Sequence, residues 1–92
     1  MATYRTTLLS GAADAMPGSY PFEAPDNLFD ATADKIVRAF FEHVDKDVFH
    51  HHVDYEVNAA TKSRDGATVS AMGALVMANG SELPFVLRIQ RA

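Results

Sequence analysis

Two dipeptides, Asp65-Gly66 and Asn79-Gly80, stand fourteen residues apart in a tract rich in apolar and β-branched residues. Asp-Gly and Asn-Gly are strong hairpin signals, because a two-residue type I′ turn needs positive φ at both central positions. The stretch "VDYEVNAA" before the first alternates with a period of two, as a half-buried strand should. "TVSAMGALVMA" lies between the turns and "ELPFVLRIQR" follows them. Residues 52–91 therefore read as a three-stranded antiparallel meander.

The turns also imply a register. If Asp65-Gly66 is a two-residue loop, Ala59 pairs with Met72, Val57 with Ala74 and Tyr55 with Val76. If Asn79-Gly80 is another, Val76 pairs with Leu83, Ala74 with Phe85 and Met72 with Leu87. Directly opposed residues share a face of the sheet. One face then holds Val53, Tyr55, Val57, Met72, Val76, Leu83, Phe85, Leu87 and Ile89. The other holds Asp54, Glu56 and Asn58 beside a strip of Val69, Ala71, Gly73, Leu75 and Met77, with Pro84, Val86 and Arg88. Pro84 cannot donate to a ladder, so its strand is expected to be an edge at that point.

Upstream the period changes to that of a helix, expected over 31–47. Ala33, Ile36, Val37, Phe40, Phe41, Val44 and Val48 share one sector, and Asp34, Lys35, Arg38, Glu42, Asp45 and Lys46 lie opposite. Asp30 or Thr32 can cap the start, and Asp34 suits the positive end of the dipole. Asp34–Arg38 and Glu42–Lys46 have the spacing of acid-first helical pairs. A further turn would put Asp47 on the apolar side and Phe49 on the polar side, so the helix should stop near Asp47. Residues 10–29 hold three of the four prolines and read as an irregular segment or arm, pinned by Tyr20, Phe22 and Phe29. "TYRTTLL" at 3–9 has strand character. The fold class is α+β: one main helix on one face of the meander, with the N-terminal strand as an extension, in a single domain spanning 1–92.

Composition bounds the function. Nearly half of the 92 residues are apolar, which is a globular balance, and so short a chain buries a modest core that oligomerisation commonly supplements. There is no cysteine, so there is no disulfide frame and no thiolate metal site. That suits a reducing, cytoplasmic setting. Residues 1–60 carry a net charge of −6 and residues 61–92 a net +2. An acidic chain without a Lys/Arg run argues against nucleic acid or anionic membrane as a partner. No apolar run approaches the roughly 20 residues of a membrane helix, and the N-terminus has no signal-peptide pattern.

Three of the four histidines fall in "VFHHHVDYEV". With strand alternation running from His50, the side chains of His50, His52 and Asp54 share a face. His-x-His on a strand spaces two imidazoles about 7 Å apart, which is workable for zinc or a similar ion. The competing and better-supported reading is a His-rich joint between helix and strand. Glu56, Asn58 and Arg88 are candidate ligand-binding groups on the same face. A catalytic reading is weaker. The pattern His-His-x-x-x-Asp fails, because Tyr55 and Glu56 stand where the Asp would be. His43 and Asp47 have helical i,i+4 spacing, yet no nucleophile is marked beside them. No phosphate-binding glycine loop is present. The expected function is a small non-enzymatic interaction module acting as a homo-oligomer, without a cofactor and with a second copy of itself as partner. The alternative is a small-molecule or divalent-metal binder using the face bordered by His50, His52, Asp54, Glu56 and Arg88.

Overall fold

The computed structural model describes residues 1–10, 18–44 and 53–92. Its elements are β1 (Ala2–Ser10), β2 (Ser19–Ala24), a 3₁₀ turn at Leu28–Asp30, α1 (Ala33–His43), β3 (Asp54–Lys62), β4 (Thr68–Val76) and β5 (Glu82–Arg91). The five strands form one sheet in the order β2-β1-β5-β4-β3, and every pairing is antiparallel. The fold is α+β with a single helix. The expected meander is present as β3-β4-β5, but it is only part of the sheet. The N-terminal strand does extend it, and a further strand pairs with β1 in turn.

Over Ser19–Ala24 that further strand departs from the irregular segment or arm expected for 10–29, of which residues 11–17 lie outside the described residues. Phe22 and Ala24 are buried while Ser19, Pro21 and Glu23 are exposed, so "SYPFEA" carries its own period of two. Pro21 is tolerated because β2 is an outer strand, where one missing N–H costs no ladder bond. The anchoring role of the aromatics holds. The Tyr4 ring stacks on Phe22 at 5.6 Å and on Phe29 at 5.5 Å, and its hydroxyl donates to the Pro25 carbonyl at 2.7 Å.

The register departs from expectation at two places. The second turn is a three-residue loop: Met77 N–H donates to the Ser81 carbonyl, and Gly80 N–H donates to the Met77 carbonyl. With Gly80 at φ 85°, this is a type I turn closed by a left-handed glycine. One extra loop residue slips the β4–β5 ladder by one, so Leu75 pairs with Leu83, Gly73 with Phe85 and Ala71 with Leu87. A one-residue slip turns every side chain over. Val69, Ala71 and Leu75, expected on the open strip, are therefore in the core, and Met72 and Val76 move to the open face.

The first turn gives the expected pairing of Ala59 with Met72, but the ladder then shifts between Val57 and Ala59. Val57 pairs with Gly73 and Tyr55 with Leu75, in place of the expected Ala74 and Val76. This bulge brings Tyr55 and Val57 back to the helix side, so the two departures compensate. Gly73 sits opposite the bulge, where a Cβ would run into the Glu56 carbonyl oxygen and lie 3.0 Å from the Phe85 ring. Among the described residues the pairing of β5 with β1 ends at Val86, and Pro84 has a strand neighbour in β4 alone, in keeping with the expected edge.

Helix α1 buries Ile36, Val37, Phe40 and Phe41. It is shorter than expected, because Val44 turns extended (φ −74°, ψ 141°) and buries its side chain. Residues 45–48 of the expected helix and stripe lie outside the described residues. Thr32 occupies the N-cap position without a side-chain capping bond. Among the described residues Asp34 and Arg38 form no ion pair; Met1 and Asp26 do, at 3.2 Å. The core joins Phe40, Phe85 and Leu87, all buried, with the half-buried Tyr55. Rings run across it in steps: Phe22–Phe40 at 5.5 Å, Phe40–Phe41 at 5.1 Å, Phe41–Phe85 at 5.6 Å and Phe41–Tyr55 stacked at 4.0 Å. No described helix is long and apolar enough to cross a membrane.

Candidate functional site

The helix covers one face of the sheet and leaves the other open. Pairing lays the open face out in rows across the strands. Arg5, Gln90 and Thr68 form one row, Thr7, Arg88 and Ser70 the next, then Val86 and Met72 with Ala59. Pro84, Ala74 and Glu56 follow, then Glu82, Val76 and Asp54. At the middle lies a shallow depression of about 270 Å³, lined by Ala59, Thr61, Ser70, Ala71, Met72 and Val86. Met72 is 51% exposed there, a large apolar side chain placed in solvent by the slipped register.

Arg88 and Glu56 share the open face, as expected, and stand two strands and four residues apart. Strand spacing and rise put their Cα positions about 16 Å from each other. Asn58 is the extra residue of the β3 bulge and is exposed. Asp54 opens β3, exposed, and its Oδ1 accepts the Tyr55 N–H at 2.8 Å. His50 and His52 lie outside the described residues, as does Asp47 of the His43–Asp47 pair. Among the described residues no three His, Asp or Glu side chains are grouped so that they could hold a metal ion.

A second concavity, of about 480 Å³, lies between α1 and the outer edge of β3, lined by Asp34, Arg38, Asp54, Tyr55, Glu56 and Val57. It brings Asp34 near Asp54, twenty positions away in the chain. No local pattern could have found this, because the meeting depends on how helix and sheet dock.

The hairpin loops are organised by their own side chains. Asp65 Oδ1 accepts the Ser63 hydroxyl at 2.6 Å and the Ala67 N–H at 3.0 Å. The Ser63 hydroxyl bond, with the Ala67 N–H second, holds the Asp65 carboxyl below its ordinary value. Asn79 Oδ1 likewise accepts the Ser81 N–H at 2.9 Å and hydroxyl at 2.6 Å. At the far end of β3, Lys62 Nζ donates to the Phe29 and Ala31 carbonyls at 2.8 and 2.7 Å. This ties the strand to the chain entering α1.

Both outer strands carry features that discourage edge-to-edge association. β2 has Pro21 at its middle and β3 has the bulge at Asn58. Prolines and bulges are the usual devices by which edges avoid pairing with another chain. Comparison of the chain with protein-family models, with curated proteins and with solved structures returns no match.

Proposed function

We propose that the protein is a small non-enzymatic interaction module that acts as a homo-oligomer through the open face of its sheet. The observation that carries this is Met72, 51% exposed at the centre of an apolar depression with Val86 and Ala59 around it. A large apolar side chain central to a face, with polar groups at its border, is the pattern of a contact surface. Both edges are blunted, which favours the face over the edges as the contact surface. The ligand-binding alternative rests on Glu56 and Arg88, which share the open face two strands apart. The test is light scattering with sedimentation across micromolar concentrations. A dimer or larger species is expected, and Met72→Lys should shift it to monomer without loss of the folded circular-dichroism spectrum. A wild-type protein that stays monomeric at every concentration refutes the reading.

A further inference from the structure

The open face is electrically polar along its strands. Arg5 and Arg88 lie toward one end with Arg64 in the adjoining turn, and Glu82, Glu56 and Asp54 lie toward the other. The Val86–Met72 row runs between the two groups. Among the described residues neither Arg5 nor Arg88 has an ion-pair partner, and the same is true of Glu82 and Glu56. Acids also lie at the cationic end: Asp26, ion-paired with the Met1 amine, Glu23 and Asp65. Glu23 is on the outermost strand, and Asp65 is already engaged by Ser63 and Ala67.

Resting on the reading above, we infer that the partner is a second copy of this chain, packed sheet on sheet about a two-fold axis perpendicular to the strands. Such an axis lies in the plane of the interface, along the Val86–Met72 row. It runs the strands of one copy opposite to those of the other, and it sets the cationic end of each face over the acidic end of its partner.

Charge selects this arrangement over the other two-fold. An in-plane axis along the strands would set the cationic end of one face over the cationic end of the other, and the acidic end over the acidic end. Like charges placed together across an interface are strongly unfavourable. About the perpendicular axis, Glu82 falls over Gln90 with Arg5 on the adjacent strand, and Asp54 falls over the turn carrying Arg64. Both Met72 and Val86 then meet their own copies on the axis, as a self-complementary contact requires.

Under this axis β5, β4 and β3 face their own copies, and three strands at about 4.8 Å spacing with nine residues at about 3.3 Å give roughly 430 Å² per partner. That is about half of the roughly 800 Å² per partner of standard interfaces, which fits a weak, salt-sensitive dimer. Stacked sheets align within about 30° of each other, which keeps the two charged ends over one another.

The experiment is sedimentation equilibrium on Arg5→Glu, Glu82→Arg and the double variant, each at low and high salt. Arg5 and Glu82 are both solvent-exposed, so the fold should survive, and circular dichroism checks it. Each single variant is expected to weaken association about tenfold or more, and the double variant to restore most of it, with the differences shrinking in high salt. A wild-type dimer that is unchanged or tightened by Arg5→Glu overturns this geometry while leaving self-association standing. A wild type that is monomeric throughout overturns both.

Discussion

Thr6 is the residue whose replacement best tests the packing. It lies on β1, paired with Tyr20 on β2 and Ile89 on β5, and it is 0% exposed. Its Oγ1 is buried without a hydrogen-bond partner among the described residues. Valine has nearly the same shape, so Thr6→Val removes the stranded hydroxyl without opening a cavity. An unsatisfied buried polar group costs about 1–3 kcal/mol, and a methyl in its place adds about 0.8 kcal/mol of burial. The variant should therefore be more stable by about 2–4 kcal/mol. At about 4–8 °C per kcal/mol for a domain of this size, Tm should rise by several degrees or more. Urea unfolding followed by circular dichroism measures it, with unchanged m-values as the check that the unfolded state is the same. Thr6→Ser serves as the control: it keeps the hydroxyl and loses the methyl, and should destabilise by about 1 kcal/mol. A Thr6→Val that loses more than about 0.5 kcal/mol would refute the reasoning, because the hydroxyl would then be making a bond worth more than its burial costs.

Two further outcomes follow from the sheet. Gly73→Ala places a methyl against the Glu56 carbonyl and the Phe85 ring; it should destabilise by about 1–3 kcal/mol as overpacking does, and a neutral result in thermal unfolding would mean the bulge can relax. Asp65 has a depressed folded-state pKa, so its contribution to the hairpin is present above the unfolded carboxylate value and lost as pH falls through the folded one. An NMR titration of the side chain should show that value climbing toward the ordinary range in Ser63→Ala, since the Ser63 hydroxyl is its largest cause; an unmoved titration would assign the depression elsewhere.

Much of the chain's local structure was open to reading because its signals are local. The stripe of Ile36, Val37, Phe40 and Phe41 at helical spacing has one burial solution, and the helix lies on it. Glycines at Asp65-Gly66 and Asn79-Gly80 supply the positive φ that hairpins need, and both hairpins form there. The strand at Ser19–Ala24 was legible in its alternation, yet Pro21 and its proline-rich surroundings masked it until its outer position in the sheet explained the proline. The candidate site was far less legible. Its residues come from separate strands, and which of them face the same way turns on one residue of loop length.

Composition, periodicity and turn chemistry determined that this chain makes one helix, hairpins and an α+β domain, because each depends on residues within a turn or a strand of one another. Tertiary structure alone decided that Asn79-Gly80 sits in a three-residue loop and that Asn58 bulges. It also decided that Met72, rather than Leu75, faces outward. Asn-Gly is compatible with either loop length, and the difference in local energy is small. The slip exchanges Met72 and Val76 for Val69, Ala71 and Leu75 on the helix side, so the packing of that whole face goes with the loop length.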